Sequence, residues 1–356
     1  MDILVINPGS TSTKISVFKD KDELMEKTIR HSSKELSKFE NITKQQDFRY
    51  DIIKKTLKEN DYLEDQLDAV VGRGGLLHPL EGGTYLVNED MINDLKSGKY
   101  GEHASNLGGV LAYKFSNDLN IPAYIVDPVV VDEMEDVARI SGNPLFERIS
   151  IFHALNQKEV CRLAAKKINK SYEKGNFIVA HLGGGISVGL HKNGRVIDVN
   201  NALDGEGPFT PERAGSLPAG DLARLCFSGK YDLNEVKKLI KGQGGLVAYL
   251  GTNDGREVIK DIEKGDAKAL LIYKAMAYQI AKEIGSLAPV VSGKIDAIVL
   301  SGGLAYDEDY LIPWIEEMVS YISPLIVFPG EKEMQALAAG ALRVLNNKEG
   351  VKYYKK

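Results

Sequence analysis

Ile3-Leu4-Val5-Ile6, then Asn7-Pro8-Gly9-Ser10-Thr11-Ser12-Thr13-Lys14, then Ile15-Ser16-Val17-Phe18 reads as two apolar strands joined by a small polar loop. Aliphatic and β-branched residues suit a buried pleated surface, while Gly, Pro and Ser close turns. A β-hairpin is therefore predicted here, with Lys19-Asp20-Lys21-Asp22 as the turn beyond it. Half a chain later the pattern returns. Phe177-Ile178-Val179-Ala180 runs into His181-Leu182-Gly183-Gly184-Gly185, Ile186 to Leu190 forms a second strand, Lys192-Asn193-Gly194 turns, and Val196 to Val199 forms a third. Asn7 matches His181 and Gly9 matches Gly183, each pair 174 positions apart. Two copies of one strand–loop–strand unit predict a duplicated domain.

Between and beyond these units, strands alternate with helices. Residues 33–68 are charged and read as helical, with Ile52, Ile53 and Leu57 on one face. Ala69-Val70-Val71 is a strand that ends in Gly72-Arg73-Gly74-Gly75, and Ala123 to Val126 is one that ends at Asp127. Residues 104–117, 150–169, 234–241 and 256–289 read as helices. Ile295 to Leu300 is a strand closed by Ser301-Gly302-Gly303, Leu325 to Phe328 is the last strand, and residues 331–345 form an Ala-rich helix. The expected class is α/β with open sheets.

Composition narrows the function. A chain of 356 residues has room for about two domains at ~150 residues each. Hydrophobic residues at 43% and charged residues at 27% exclude a disordered chain. A net charge of −5 argues against nucleic acid as the main partner. Two cysteines, Cys161 and Cys226, make no disulfide framework, so a reducing compartment is expected. The start Met1-Asp2-Ile3-Leu4 lacks a basic signal region, and apolar runs are broken by Pro122, Asp127 and Pro128. A cytoplasmic enzyme with no membrane segment is expected.

Neither Gly-x-x-x-x-Gly-Lys-Ser/Thr nor a complete Gly-x-Gly-x-x-Gly occurs, which weighs against a P-loop ATPase and a dinucleotide dehydrogenase. Gly185-Ile186-Ser187-Val188-Gly189 matches the Gly-x-Ser-x-Gly elbow of serine hydrolases, but that motif needs strand, sharp turn and helix. Ser187 opens a strand instead, and only His191 follows it, so the match is read as accidental and its replacement as largely harmless. Three strand ends carry small polar loops: Gly9 to Thr13, Gly183 to Gly185 and Ser301 to Gly303. Freed amides, hydroxyls and close backbone approach are what phosphate oxygens need, so three such loops indicate a nucleotide cleft. Lys14 is placed to meet phosphate, or simply to be solvated. Arg73 between glycines can clamp a carboxylate or phosphoryl group, though an exposed loop arginine is common. Asp127 suits Mg²⁺ or a charged substrate, or merely forms a turn before Pro128. His153 is a candidate donor, or a core or capping histidine.

Asn7 to Lys14 after a short apolar strand resembles the N-terminal signature of the acetate/butyrate kinase (acetokinase) family, and His181 to Gly185 with Ser187 resembles its second signature. Gly72 to Gly83, the Asp127 strand end and Phe209-Thr210-Pro211 fall in the family's order, and the likeness runs from about residue 2 to 345. Gly72 to Pro79, the shorter length and Gly184 look more like the butyrate kinase branch than the acetate kinase branch.

The resemblance implies a duplicated two-domain actin/sugar-kinase-type (ribonuclease H-like) fold with an ATP cleft between the domains. Domain 1 would span 1–150, with the C-terminal helix 331–356 packing back on it, and the nucleotide-binding domain 151–330. It implies Asn7, Ser10, Ser12 and Lys14 at the phosphates, His181, Gly183, Gly184 and Gly185 as a second phosphate loop, and Ser301, Gly302 and Gly303 by the adenosine. Arg73, Asp127 and His153 match the family's active-site arginine, aspartate and histidine. The Mg²⁺ glutamate falls at Glu331 or Glu333, with Glu333 preferred, and Asn7 beside the metal. The family's second active-site arginine has no clean match, and Arg213 is nearest. The implied reaction is butyryl phosphate and ADP to butyrate and ATP, reversibly, by a homodimer using ATP/ADP and Mg²⁺. Acetate, propionate or branched acids are alternatives, as is a non-kinase ATPase switch of the same fold.

Overall fold

The computed structural model describes residues 1–355. Its strands are β1 (Asp2–Pro8), β2 (Ser12–Lys19), β3 (Asp22–Arg30), β4 (Ala69–Arg73), β5 (Thr84–Leu86), β6 (Ala123–Val126), β7 (Asn176–Leu182), β8 (Ile186–Lys192), β9 (Arg195–Val199), β10 (Ala297–Gly302), β11 (Leu325–Pro329) and β12 (Lys352–Tyr353). The chain divides into two compact units, Met1–Asp132 joined by the segment from Lys332 onward, and Glu133–Glu331. The first division falls at Asp132 rather than near residue 150. Local bonding explains this: buried Glu133 pairs with Lys158 Nζ at 2.7 Å, and the Glu135 N–H donates to the Ile197 carbonyl.

In the first unit the sheet order is β12-β5-β6-β4-β1-β2-β3. β1 and β2 are antiparallel, with Asn7 opposite Lys14, so the predicted hairpin forms. β1 runs parallel to β4, and β4 parallel to β6. In the second unit the order is β11-β10-β7-β8-β9, with β7 antiparallel to β8 and parallel to β10. The series β3-β2-β1-β4-β6 and β9-β8-β7-β10-β11 thus have one topology, which is the structural form of the sequence echo. Each sheet buries its own core. Leu4, Ile6, Val70 and Ile125 pack with Leu107 and Leu111 in one. Ile178, Ala180, Ile298 and Leu300 pack with Tyr273, Met276 and Ile280 in the other.

Two expected elements differ. The helical reading of 33–68 holds for the short helix Ser33–Leu36 and for Gln46–Glu59, with short turns around the latter, while the charged residues Asp22–Arg30 ahead of it form β3. The helix of 256–289 is two, Gly255–Glu263 and Ala267–Leu287. Gly265 between them takes φ +90, and Asp266 caps the second through the Lys268 and Ala269 N–H groups. Among the described residues no helix is long and apolar enough to cross a membrane.

Candidate active site

In the first unit, three parallel strands deliver side chains at their carboxyl ends, where open α/β sheets bind ligands. Ile6 lies opposite Gly72, and Arg73 opposite Val126, so Asn7, Arg73 and Asp127 end neighbouring strands. Helix Asn106–Leu119 fixes the level of Arg73. A Cβ on Gly72 would stand 2.1 Å from the Gly108 carbonyl oxygen, and one on Gly108 would stand 2.2 Å from that of Arg73. Only two glycines let the backbones approach so closely.

Arg73 Nη1 donates to Glu333 Oε2 at 2.9 Å and to Asn7 Oδ1 at 3.3 Å. Asn7 Nδ2 donates to the same Glu333 oxygen at 2.8 Å. Glu333 therefore joins this cluster, whereas Glu331 Oε1 lies 3.7 Å from His181 Nε2 in the second unit. The Asn7 amide oxygen and the Glu333 carboxylate are hard donors side by side. They fit Mg²⁺, which takes one or two protein oxygens and completes its shell with phosphates and waters. Among the described residues no three His, Cys, Asp or Glu cluster into an all-protein metal cage. Asp127 is buried, takes φ +37, and accepts the Gly83 N–H at 2.7 Å. Its carboxylate thus holds the β6 end to the start of β5. The Lys14 ammonium pairs with Glu26 at 3.0 Å on the exposed hairpin face.

The loop that carries Ser10 and Ser12 rests on Arg49, which sequence reasoning passed over. This fully buried guanidinium donates to the carbonyl oxygens of Gly9, Ser10 and Ser12 and to Thr13 Oγ1. The His31 N–H takes the Thr11 carbonyl. Carbonyls that would repel phosphate are turned inward, leaving Ser10 and Thr11 exposed. Burial lowers the Arg49 pKa to about 10. Its signal in the sequence was a lone arginine on an otherwise amphipathic helix.

In the second unit, His181 at the end of β7 stands opposite Ser301 of β10. His181 Nδ1 donates to Asn156 Oδ1 at 2.9 Å, which also accepts from Ser301 Oγ at 2.6 Å. Ser301 therefore sits beneath the site, bonded to Asn156 and fully buried. Gly302, at φ +90, lies with its Cα against the Leu182 backbone, where a Cβ would come within 2.4 Å. Of Ser301, Gly302 and Gly303, only Gly303 reaches a cavity of about 590 Å³, which Gly183 and Gly184 edge and Ile259, Leu304 and Tyr306 line. That volume suits a nucleoside. The Asn253-Asp254-Gly255 turn into helix Gly255–Glu263 also lines it. Its signal in the sequence is the polar, glycine-bounded run Gly251 to Gly255.

Arg213 lies over Gly185, where a Cβ would stand 2.2 Å from Nη1, and Nη1 donates to the Ala202 carbonyl. Burial works against its charge, while Glu212 and Asp204 favour it. His153 stands at the N-cap position of helix Ala154–Lys167 without a side-chain capping bond, and stacks on His181 with ring centroids 4.0 Å apart. Its Nδ1 meets Ser187 Oγ at 2.8 Å. Ser187 lies within β8, fully buried and opposite His181, with no turn into a helix, so it is no exposed nucleophile. This contact with the candidate histidine argues against the expectation that replacing Ser187 is largely harmless.

Comparison with known proteins gives the family and the fold. Butyrate kinase 2 of Clostridium acetobutylicum is 57% identical over 353 residues, covering 99% of each chain. The chain belongs to the acetokinase family. The family's sequence profile matches residues 147–311. The crystal structure of acetate kinase from Porphyromonas gingivalis superposes with a TM-score of 0.79 at 20% identity, covering 97% of this chain and 99% of its own. A propionate kinase from Francisella tularensis gives 0.73 at 21% identity, covering 95% and 98%. The fold is the duplicated two-domain α/β fold of these acid kinases.

Proposed function

We propose that this member of the acetokinase family is a butyrate kinase, interconverting butyryl phosphate and ADP with butyrate and ATP. The observation that carries the reading is 57% identity, over 99% of both chains, to a protein named butyrate kinase 2. The second unit, as the nucleotide-binding domain, would take ATP or ADP in the cavity edged by Gly183, Gly184 and Gly303. His181 and Gly185 would complete the phosphate loop there. In the first unit, Asn7, Ser10, Ser12 and Lys14 are assigned to phosphate, and Arg73 to the acid's carboxylate or the transferring group. Asp127 keeps its place among the active-site residues through the β6 end it shapes beside Arg73.

The chemistry asks little of a general base. A carboxylate is already ionised at pH 7, so one of its oxygens attacks the γ-phosphorus directly. The bond from phosphorus to the β,γ-bridging oxygen breaks, and its electron pair leaves with ADP. What remains is in-line positioning and charge neutralisation. Arg73 in the first unit and an N–H of His153 in the second would each serve as a donor to developing charge, such a donor being worth ~2–4 kcal/mol of barrier. Asn7 and Glu333 would hold Mg²⁺, which when bound neutralises phosphate charge.

A cytoplasmic homodimer completes the proposal. The free thiols Cys161 and Cys226 support a reducing compartment. Exposed Val137, Ile140, Leu145 and Phe146 support a self-association face. The deciding experiment traps acyl phosphate with hydroxylamine from MgATP and acetate, propionate, butyrate, isobutyrate or valerate. A maximum at butyrate is expected. A maximum at acetate would move the enzyme to a sister activity, and ATP hydrolysis without acyl phosphate would overturn the kinase reading.

A further inference from the structure

Behind His153 lies a buried chain of polar side chains that the reaction as written does not use. Ser187, Gly189 and His191 share one face of β8 by their two-residue spacing. Helix Ala154–Lys167 packs on that face, and its Gln157 enters the gap left by Gly189. A Cβ on Gly189 would stand 2.7 Å from Gln157 Oε1. The two landmarks of the Gly-x-Ser-x-Gly match that follow its first glycine therefore belong to this packing.

Hydrogen-bond directions along the chain follow from donor and acceptor counts. Gln157 Nε2 lies 2.9 Å from the Ser187 carbonyl oxygen, which can only accept, so this end of the amide is its NH₂. The second N–H of that group points to Ser187 Oγ at 2.7 Å. Gln157 Oε1 must then accept from His191 Nε2 at 3.0 Å. His191 is fully buried, and burial holds its pKa well below the ordinary value, so it is neutral. Its Nδ1 accordingly accepts from the Tyr172 hydroxyl at 2.9 Å. At the near end, Ser187 Oγ accepts from Gln157 and from the His153 backbone N–H at 3.4 Å. Both lone pairs are engaged, and the hydroxyl proton goes to His153 Nδ1 at 2.8 Å.

We infer that Ser187 and Gln157, backed by His191 and Tyr172, are positioning residues that hold His153 as the neutral tautomer with its proton on Nε2. This rests on the role proposed above for His153 as hydrogen-bond donor to the transferring phosphoryl group. A neutral ring with Nδ1 bound as acceptor has one donor, Nε2–H, at a fixed angle. An imidazolium would instead aim Nδ1–H at a hydroxyl already accepting twice.

The test uses full-length enzyme labelled with ¹³C and ¹⁵N in its six histidines, with His153 resonances assigned by their loss in His153→Gln. At pH 7.5 the resting enzyme is expected to show the Nε2–H signature at His153. Ser187→Ala and, independently, the near-isosteric Gln157→Met should convert it to a tautomer mixture. In both, kcat should fall about 10- to 100-fold, less than the roughly 10²–10⁴ that a proton-transfer group itself contributes, with KM for nucleotide and acid within about two-fold. An Nδ1–H or imidazolium signature in the wild type would overturn the inference. So would variants that shift the tautomer but keep kcat, or that leave both unchanged. The spectrum does not depend on turnover: the expected signature in an enzyme that makes no acyl phosphate would sink the kinase reading and leave the tautomer assignment standing.

Discussion

Arg73 is held by one carboxylate and one amide, and its side chain is still 38% exposed. It is thus aligned without being consumed. Arg73→Ala should lower kcat by roughly 10²–10³-fold, the loss of one transition-state donor, with the thermal midpoint little changed. Hydroxamate kinetics with circular dichroism would check both, and an unaltered rate would remove Arg73 from the mechanism. His31 carries a different prediction. Burial, and then the Arg49 charge, lower its pKa from 6.5 to about 4, against a smaller opposing effect of Glu35. The unfolded chain takes up this proton more readily, so the contribution to stability is complete above pH 6.5 and is lost as the pH falls towards 4. Urea midpoints at pH 7.5 and 5 should differ less in His31→Gln than in wild type. At this scale candidate site residues are legible where loops punctuate strands, as at Asn7, Arg73 and His181. Buried supports such as Arg49, Gln157 and Tyr172 are not, because their roles depend on partners far away in the chain.

Elements show where pattern reading succeeds. Buried strands such as β1, β4, β7 and β10 announce themselves as short apolar runs. β3 does not: Asp22-Glu23-Leu24-Met25-Glu26-Lys27 is charged, and most of the strand is exposed at a sheet edge, where the alternation that marks a half-buried strand fades. The packing of helix Asn106–Leu119 on β4 is likewise invisible until Gly72 and Gly108 are seen face to face. Gly72→Ala should cost about 1–3 kcal/mol by overpacking. It should also reduce kcat, because Arg73 follows directly. Denaturant melts and kcat together check this, and a stable, fully active variant would contradict the contact.

For the whole molecule, the internal echo foretold two copies of one sheet topology, and the structure supplies them. Which copy the last helix joins was implied by the family resemblance rather than by the residue pattern, and the segment from Lys332 onward falls in the first unit. Because the cavity is lined wholly by residues of the second unit, a fragment of residues 133–331 should fold and gain thermal stability with ADP but form no acyl phosphate. A differential scan with and without nucleotide checks the point, and no shift would argue against the nucleotide assignment.

The first unit is finished by residues made only after the whole second unit. Helix Glu333–Leu345 buries Leu337, Ala338 and Ala341, Gly340 lies against Val126, Tyr354 donates to Asp94, and β12 pairs with β5. On the ribosome, then, β1 to β6 emerge early but stay without these partners until roughly 200 further residues have been made, about 10–40 s at 5–20 residues per second. The second unit, continuous in the chain, is complete while the first still waits. Slow synthesis or a stall before Lys332 is reached should therefore expose the sheet of the first unit to chaperones and proteases, although that sheet is translated before the second unit.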